Sequence, residues 1–283
     1  MKVSYYPGCS LHGTALEYDE STRVVCHMLG IELQELSDWN CCGASSAHST
    51  NEALSIALPS RNLAIAEEVG LDLVVPCAAC FQRLKVAEKH VKEGAEPAID
   101  TPYQGKVPIK HLLDFLCDEE VLTLIKQKVK TSLKGLKTVC YYGCLTVRPP
   151  RITDAANCED PQAMDKLIAL LGADNRPWSY KTDCCGGGLI LSRTDIVVRL
   201  SGKLLQMAKE AGADCIVTAC PICQANLDTR QAEISKTLGK NTRIPIFYFT
   251  ELLGLALGSG EAGQWVKRHI VDPRNLLKAH NLL

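Results

Sequence analysis

Ten of the chain's fifteen cysteines fall into two matching sets of five, and the chemistry open to such sets is metal binding through sulfur. Cys9 is followed after 31 residues by Cys41-Cys42-Gly43, and after a further 33 by Cys77 and Cys80 in a C-x-x-C. Cys144 is followed after 39 residues by Cys184-Cys185-Gly186, and after a further 33 by Cys220 and Cys223. The repeated spacing marks the halves as diverged copies of one unit. Thiolates select zinc, copper(I) or iron–sulfur clusters. A structural zinc ion takes four ligands, so a fifth cysteine points to a centre of more than one metal. Neighbours such as Cys41 and Cys42 do not easily serve one tetrahedral ion without strain, whereas they can bind neighbouring irons. The ferredoxin run C-x₂-C-x₂-C-x₃-C is absent. An unusual iron–sulfur centre in each half is therefore expected, with structural zinc as the alternative.

The elements that must position these sulfurs follow from periodicity. Residues 2 to 6 alternate as a strand that Pro7-Gly8 breaks just before Cys9. Residues 17 to 29 read as a helix stopped by Gly30, and residues 31 to 36 as a strand ahead of Cys41. Residues 50 to 69 read as a helix interrupted by Pro59, and Leu71 to Val75 as a buried strand, after which Pro76-Cys77 opens a helix. The second half replays the order. Lys137 to Tyr142 leads to Cys144, Pro161 to Leu171 and Thr194 to Ala211 are helices, and Asp214 to Thr218 is the strand delivering Cys220. This alternation predicts an α/β fold of two tandem, pseudo-symmetric, Rossmann-like units with mostly parallel sheets, residues 1–135 and 136–283, joined through a charged, partly helical stretch at 117–135. All the paired cysteines then lie just past the carboxyl ends of strands, where ligands gather in such sheets. Each C-x-x-C also sits at a helix N-terminus, whose dipole favours thiolate.

Composition narrows the setting. The chain has 283 residues, 46% of them hydrophobic and 22% charged, with a formal net charge of −1. That balance gives no reason to expect nucleic acid as a partner. The N-terminal residues are too polar for a signal peptide, and no stretch approaches the roughly 18 apolar residues of a membrane span. A cytoplasmic location is expected. There, thiols stay reduced, so a metal or redox role is preferred to a disulfide framework.

The pattern C-x₃₁-C-C-G-x₃₃-C-x-x-C from Cys9 through Cys80, with its second copy from Cys144 through Cys223, resembles the CCG-type cysteine-rich domain. Two copies without an added ferredoxin motif resemble the B subunit of heterodisulfide reductase and its relatives outside the methanogens. The resemblance implies a non-cubane [4Fe-4S] cluster on Cys9, Cys41, Cys42, Cys77 and Cys80, and a second on Cys144, Cys184, Cys185, Cys220 and Cys223. It also implies cleavage, or formation, of a disulfide between the clusters, with electrons from a ferredoxin-like iron–sulfur subunit of the C type and from a flavin subunit of the A type. Where methanogen sequences carry proline after the first cysteine pair, this chain reads Gly43-Ala44-Ser45-Ser46-Ala47-His48. That departure favours a sulfur-metabolising relative acting on another disulfide or a protein-bound sulfur carrier. The alternatives from other classes are an electron-transfer or structural zinc module, and the electron-relay subunit of an organic-acid dehydrogenase.

Other residues carry lesser expectations. His12 and His48 lie near enough in sequence to the first set to donate a proton to a leaving thiolate, with a surface or supporting role as the plainer reading. Arg148, Arg151, Lys181 and Arg193 flank the second set and read as a solvated face, or as contacts for an anionic substrate. Gly186-Gly187-Gly188 lets backbone N–H groups approach sulfur. Cys26, Cys117, Cys140, Cys158 and Cys215 read as core or incidental. The apolar tail from Trp265 either docks a partner or packs on its own domain.

Overall fold

The computed structural model describes residues 1–44, 47–94 and 96–283. The first half runs β1 (Lys2–Tyr5), α1 (Gly8–Leu11), α2 (Leu16–Leu29), β2 (Glu32–Glu35), α3 (Ala47–Thr50), α4 (Glu52–Val69), β3 (Leu73–Val75), α5 (Ala78–Lys92), β4 (Ile109–His111) and α6 (Leu112–Leu116). After α7 (Glu119–Lys128) the plan recurs as β5 (Lys137–Tyr141), α8 (Pro150–Thr153), α9 (Ala163–Leu170), β6 (Asp174–Asn175), α10 (Thr194–Glu210), β7 (Cys215–Thr218), α11 (Pro221–Thr229), α12 (Gln231–Leu238), β8 (Ile246–Tyr248) and α13 (Phe249–Leu257). Two short helices, α14 (Ala262–Trp265) and α15 (Arg274–Ala279), come last.

Each half builds a four-stranded sheet, ordered β2-β1-β3-β4 and β6-β5-β7-β8. Every pairing is parallel, with Tyr5 opposite both Glu35 and Val74, and Tyr141 opposite Thr218. Helices cover the sheets, so the inner strands Leu73–Val75 and Cys215–Thr218 are buried throughout, as is the edge strand Ile246–Tyr248. The chain leaves β1 toward one edge and returns through β3 toward the other. That reversal opens a crevice at the carboxyl ends of β1 and β3, and Cys9 and Cys77 follow these two strands. The crevice beyond β5 and β7 receives Cys144 and Cys220 in the same way.

One prediction about the helices is corrected. Pro59 does not interrupt its helix: α4 is continuous over Glu52–Val69. An interior proline forfeits a backbone hydrogen bond, but Pro59 lies on the face of α4 that buries Ser55, Asn62, Leu63 and Ala66, and α4 packs along α5. Tertiary burial outweighs the local break. The expected stops hold, with α2 ending at Gly30 and α4 at Gly70, both left-handed. Helix α12 and strand β6 were not foreseen, because eight and two residues carry little periodic signal.

The halves share a core. All nine residues of α13 are buried, its apolar side chains together with Thr250 and Glu251. It packs on α2 of the other half. There, Tyr18 stacks on Tyr248 with ring centroids 4.1 Å apart and planes 4° apart, and Ser21 and Thr250 share a hydrogen bond of 2.7 Å. The tail packs on its own chain. Trp265 is buried against Gly254, where a Cβ would meet the indole at 2.6 Å, and Leu277 is buried, while Ile270 stays exposed.

Beneath this seam lies a buried ion pair, His269 Nε2 to Glu251 Oε1 at 2.9 Å. Burial opposes charge on the imidazole, but the carboxylates of Glu251, Asp228 and Glu17 outweigh it and push its pKa up to about 9. A raised pKa means that the stabilisation is complete below about 6.5, the ordinary value, and is lost as pH rises through about 9. The loss across that window is expected to be on the order of 2–3 kcal/mol. Chemical denaturation at both ends of it should show this slope in the wild type and a flatter one in His269→Gln.

Candidate metal centres

The first set gathers from three turns. Cys9 sits in α1, Cys41 and Cys42 in the turn after β2, Cys77 caps the N-terminus of α5, and Cys80 lies in its first turn. The Sγ atoms of Cys42 and Cys80 are 3.3 Å apart. Thiol hydrogen bonds from Cys41 and Cys80 push Cys42 down to about 3, while the same contacts push Cys41 and Cys80 up. Cys77 also bonds Cys80, and Cys9 lies in the field of Cys41. All five thiols thus form one interacting group.

The second set repeats this with Cys144 after β5, Cys184 and Cys185 after β6, and Cys220 capping α11. Cys185 and Cys223 are 3.6 Å apart at sulfur. Cys184 is pushed down to about 6, first by the thiol of Cys144 and then, against burial, by the N–H groups of Gly186 and Gly187. The glycine run therefore brings N–H groups to sulfur as its composition implied, with Gly186 N to Cys184 Sγ at 3.3 Å and Gly43 N to Cys41 Sγ at 3.4 Å in the first half.

Two features test whether this donor set suits a polynuclear centre. The first is the glycine before the leading cysteine of each set. Gly8 (φ +71°) and Gly143 (φ +69°) occupy left-handed backbone, and a Cβ there would stand 2.7 Å from Cys80 Sγ and 2.8 Å from Cys223 Sγ. The sulfurs fill the space a side chain would take. The second is that the thiols are linked in succession, Cys42 meeting both Cys41 and Cys80, and Cys80 meeting Cys77. Among the described residues no three His, Cys, Asp or Glu side chains converge on a single ion. Each all-sulfur group of five, open to solvent at Cys9 and Cys41 in the first half and at Cys184 in the second, fits an iron–sulfur centre.

Sequence reasoning missed a matched pair of tyrosines. Tyr6 and Tyr141 stand two residues before Gly8 and Gly143, in the repeated pattern Tyr-x-Gly-Cys that could have revealed them. The Tyr6 hydroxyl donates to Asn40 O at 2.8 Å and that of Tyr141 to Asp183 O at 2.6 Å, in each case the carbonyl just before the vicinal cysteines. Each tyrosine thereby ties the first turn of its set to the second. Burial and the surrounding thiols push both hydroxyls far up, so they remain donors.

The other candidates lie as follows. His12 Nε2 is 3.2 Å from Glu35 Oε1, and its ring sits edge-on to Trp39. His48 is exposed, with Nε2 3.5 Å from Ser49 Oγ, and its neighbours Ser45 and Ser46 lie outside the described residues. Arg148 pairs with Glu159 and Arg193 with Asp195, both at 2.7 Å, and Arg151 is exposed. Lys181 is not on a solvated face. It is buried, paired with Asp160 at 2.7 Å and Asp165 at 3.0 Å, and its carbonyl accepts from Tyr142 N and Gly143 N. It braces the Cys144 turn. Cys26, Cys140 and Cys215 are buried in the core, with Cys117 and Cys158 half-buried.

The family model for CCG, a cysteine-rich domain, matches residues 3–85 and 138–228, one copy per sheet. The chain belongs to the cysteine-rich domain family. Each matched stretch contains all five cysteines of one set. Among the chain's relatives, the 8-methylmenaquinol:fumarate reductase membrane anchor subunit of Wolinella succinogenes is 29% identical over 97% of this chain and 99% of its own. The B subunit of the ferredoxin/F420H2-dependent CoB-CoM heterodisulfide reductase of Methanosarcina acetivorans is 29% identical over 91% of this chain and 89% of its own. A protein of Archaeoglobus profundus that is like the heterodisulfide reductase B subunit is 27% identical, covering 91% of each chain. A hypothetical protein from Helicobacter pylori shares the fold, with a TM-score of 0.75 at 10% identity over 96% of this chain, which spans 52% of that one. The paired cysteine-rich domains and these relatives indicate iron–sulfur clusters and resemblance to the B subunit of heterodisulfide reductase. Among the described residues no helix is long and apolar enough to cross a membrane.

Proposed function

We propose that this chain is the catalytic, cluster-bearing component of a cytoplasmic heterodisulfide reductase-like complex. Residues 1–135 hold one non-cubane [4Fe-4S] cluster on Cys9, Cys41, Cys42, Cys77 and Cys80, and residues 136–283 hold the other on Cys144, Cys184, Cys185, Cys220 and Cys223. The observation that carries this reading is the duplication itself: two matched groups of five thiols whose C-x-x-C turns abut. The Tyr18 hydroxyl lies 3.3 Å from both Pro76 O and Ala219 O, the carbonyls just before Cys77 and Cys220. A disulfide takes two electrons, and clusters held by the two sets would supply one each. The chain's own residues do the rest. Tyr6 and Tyr141 hold the thiol turns together, Cys77 and Cys220 cap helix N-termini, and the exposed residues Cys9, Cys41 and Cys184 leave the groups open to solvent. Electrons would arrive from ferredoxin-like and flavin subunits, and the substrate is a disulfide or a protein-bound sulfur carrier.

Metal and acid-labile sulfide analysis on anaerobically purified protein tests the cofactor, with about eight irons and similar sulfide per chain expected. About two zincs without sulfide would withdraw the reading. A second reading, an electron relay between a quinol and an organic acid, is favoured by the end-to-end match to the fumarate reductase membrane anchor. EPR separates the two. A disulfide alters the oxidised-centre spectrum of a reductase and leaves that of a relay unchanged.

A further inference from the structure

The two thiol groups repeat one another, but the ion pairs that join their halves do not. Helix α5 carries Cys80 in its first turn, and further along it lie Lys85 and Glu88, both buried. A buried ammonium persists only where carboxylates meet its charge. Lys85 Nζ pairs with Glu88 on its own helix and, across the seam, with Asp154 Oδ2 of the second half at 2.8 Å. Lys89 Nζ reaches the other oxygen of Asp154 at 2.5 Å, and Lys92 Nζ meets Glu88 at 2.6 Å. Charges thus alternate along Lys92, Glu88, Lys85, Asp154 and Lys89, with Asp154 the member from the second half. Asp154 is itself tied back to a cysteine of the second set. It closes α8, where its N–H bonds Pro150 O at 2.9 Å, and just before that helix the Arg148 N–H bonds Cys144 O at 2.8 Å. Helix α5 packs on α8 along this line.

The repeat places no second strap on the opposite flank. Lys85 stands five residues past Cys80, and the residue five past Cys223 is Asp228; Asp154 stands ten past Cys144, and the residue ten past Cys9 is Asp19. Two carboxylates do not pair, and each is engaged within its own half. Asp228 accepts from Ile270 N at 2.7 Å and Val271 N at 3.0 Å, and Asp19 from the Tyr5 hydroxyl at 2.8 Å and Arg23 Nε at 2.7 Å.

We propose that Lys85 and Asp154 are positioning residues, whose ion pair holds the Cys144 turn of the second set against the helix of Cys80 and so fixes the separation of the two centres. The inference rests on the reading that both sets hold iron–sulfur clusters and act on one disulfide. The Tyr18 hydroxyl joins the turns before Cys77 and Cys220, and the strap supplies a second point of attachment. Two centres that share one S–S bond need a set spacing, since a reacting group misplaced by about 1 Å can lose on the order of a hundredfold in rate.

The test is EPR of the anaerobically purified holoprotein with both centres paramagnetic, after iron analysis of each sample. Their magnetic interaction splits the lines and falls with the cube of the separation, so it reads spacing directly. Lys85→Met removes the buried ammonium and leaves Glu88 paired with Lys92. Asp154→Asn removes the charge at an exposed position and keeps a residue type that tolerates its left-handed φ of +59°. Both variants are expected to keep full iron, to lose or change the splitting, and to turn over disulfide roughly 10–100-fold more slowly. Lys92→Met is the control, because it removes an ion pair of the same network that stays within α5. It is expected to keep the wild-type splitting and turnover. Wild-type splitting in iron-replete Lys85→Met and Asp154→Asn overturns this inference alone, and so does an equal change in Lys92→Met. Protein without iron overturns the proposed function along with it.

Discussion

Replacing Cys41 or Cys184 by serine is expected to remove about four of roughly eight irons per chain and to reduce disulfide turnover more than a hundredfold. Each residue is the exposed member of its vicinal pair, with its sulfur receiving a backbone N–H from Gly43 or Gly186. Serine keeps the shape but is not ionised near neutral pH, so the centre loses a ligand. Even the outer partners of metal ligands cost about 10–100-fold when removed, and a ligand itself costs more. Because a two-electron cleavage shared between one-electron centres needs both, either single variant should abolish turnover. Full turnover with half the iron would mean that one set is enough, and the two-centre reading would fall.

A larger structural effect is expected from a single methyl group. Gly8→Ala and Gly143→Ala each place a Cβ within 2.7 or 2.8 Å of a cysteine sulfur, on backbone at φ +71° or +69°. The left-handed conformation alone costs roughly 1–2 kcal/mol for a residue with a Cβ. The clash falls on Cys80 or Cys223, sulfurs already fixed by a buried helix N-terminus and a second thiol, so the ligand rather than the methyl must move. Iron analysis should show the loss of one centre in each variant and of both in the double variant. Gly188→Ala is the control, since a Cβ there meets nothing within 4 Å, and should keep its full iron content. Equal iron in all of these proteins would show that the glycines do not shape the sites.

Much of the candidate site was legible because the relevant properties belong to residue types and spacings. Thiolate softness restricts the metals wherever a cysteine sits, and a repeated spacing of ten cysteines is visible without a fold. The strands before Cys77 and Cys220 announced themselves as short apolar runs ending at a turn, and the turn in each case opens a helix. Local reasoning failed where packing overrides propensity. Pro59 reads as a break but is carried through α4 by its buried face, and Lys181 reads as solvated but is held inside by two aspartates. The Tyr-x-Gly-Cys repeat was there to be read, yet a tyrosine's hydroxyl reveals its acceptor only once the turn before Cys41 or Cys184 is folded beside it.

The sequence by itself determined the ten paired cysteines, their division into two equal sets and the parallel α/β plan, since each follows from side-chain chemistry or from periods of two and 3.6 residues. Tertiary structure alone decided how the sets relate. Tyr18 meets Ala219 across 201 residues of chain, α2 lies on α13, and Ala78 joins the core cluster of the other half. Such contacts depend on how apolar helix faces close over two sheets at once. That closure is a property of the whole core, and no local stretch of residues encodes it.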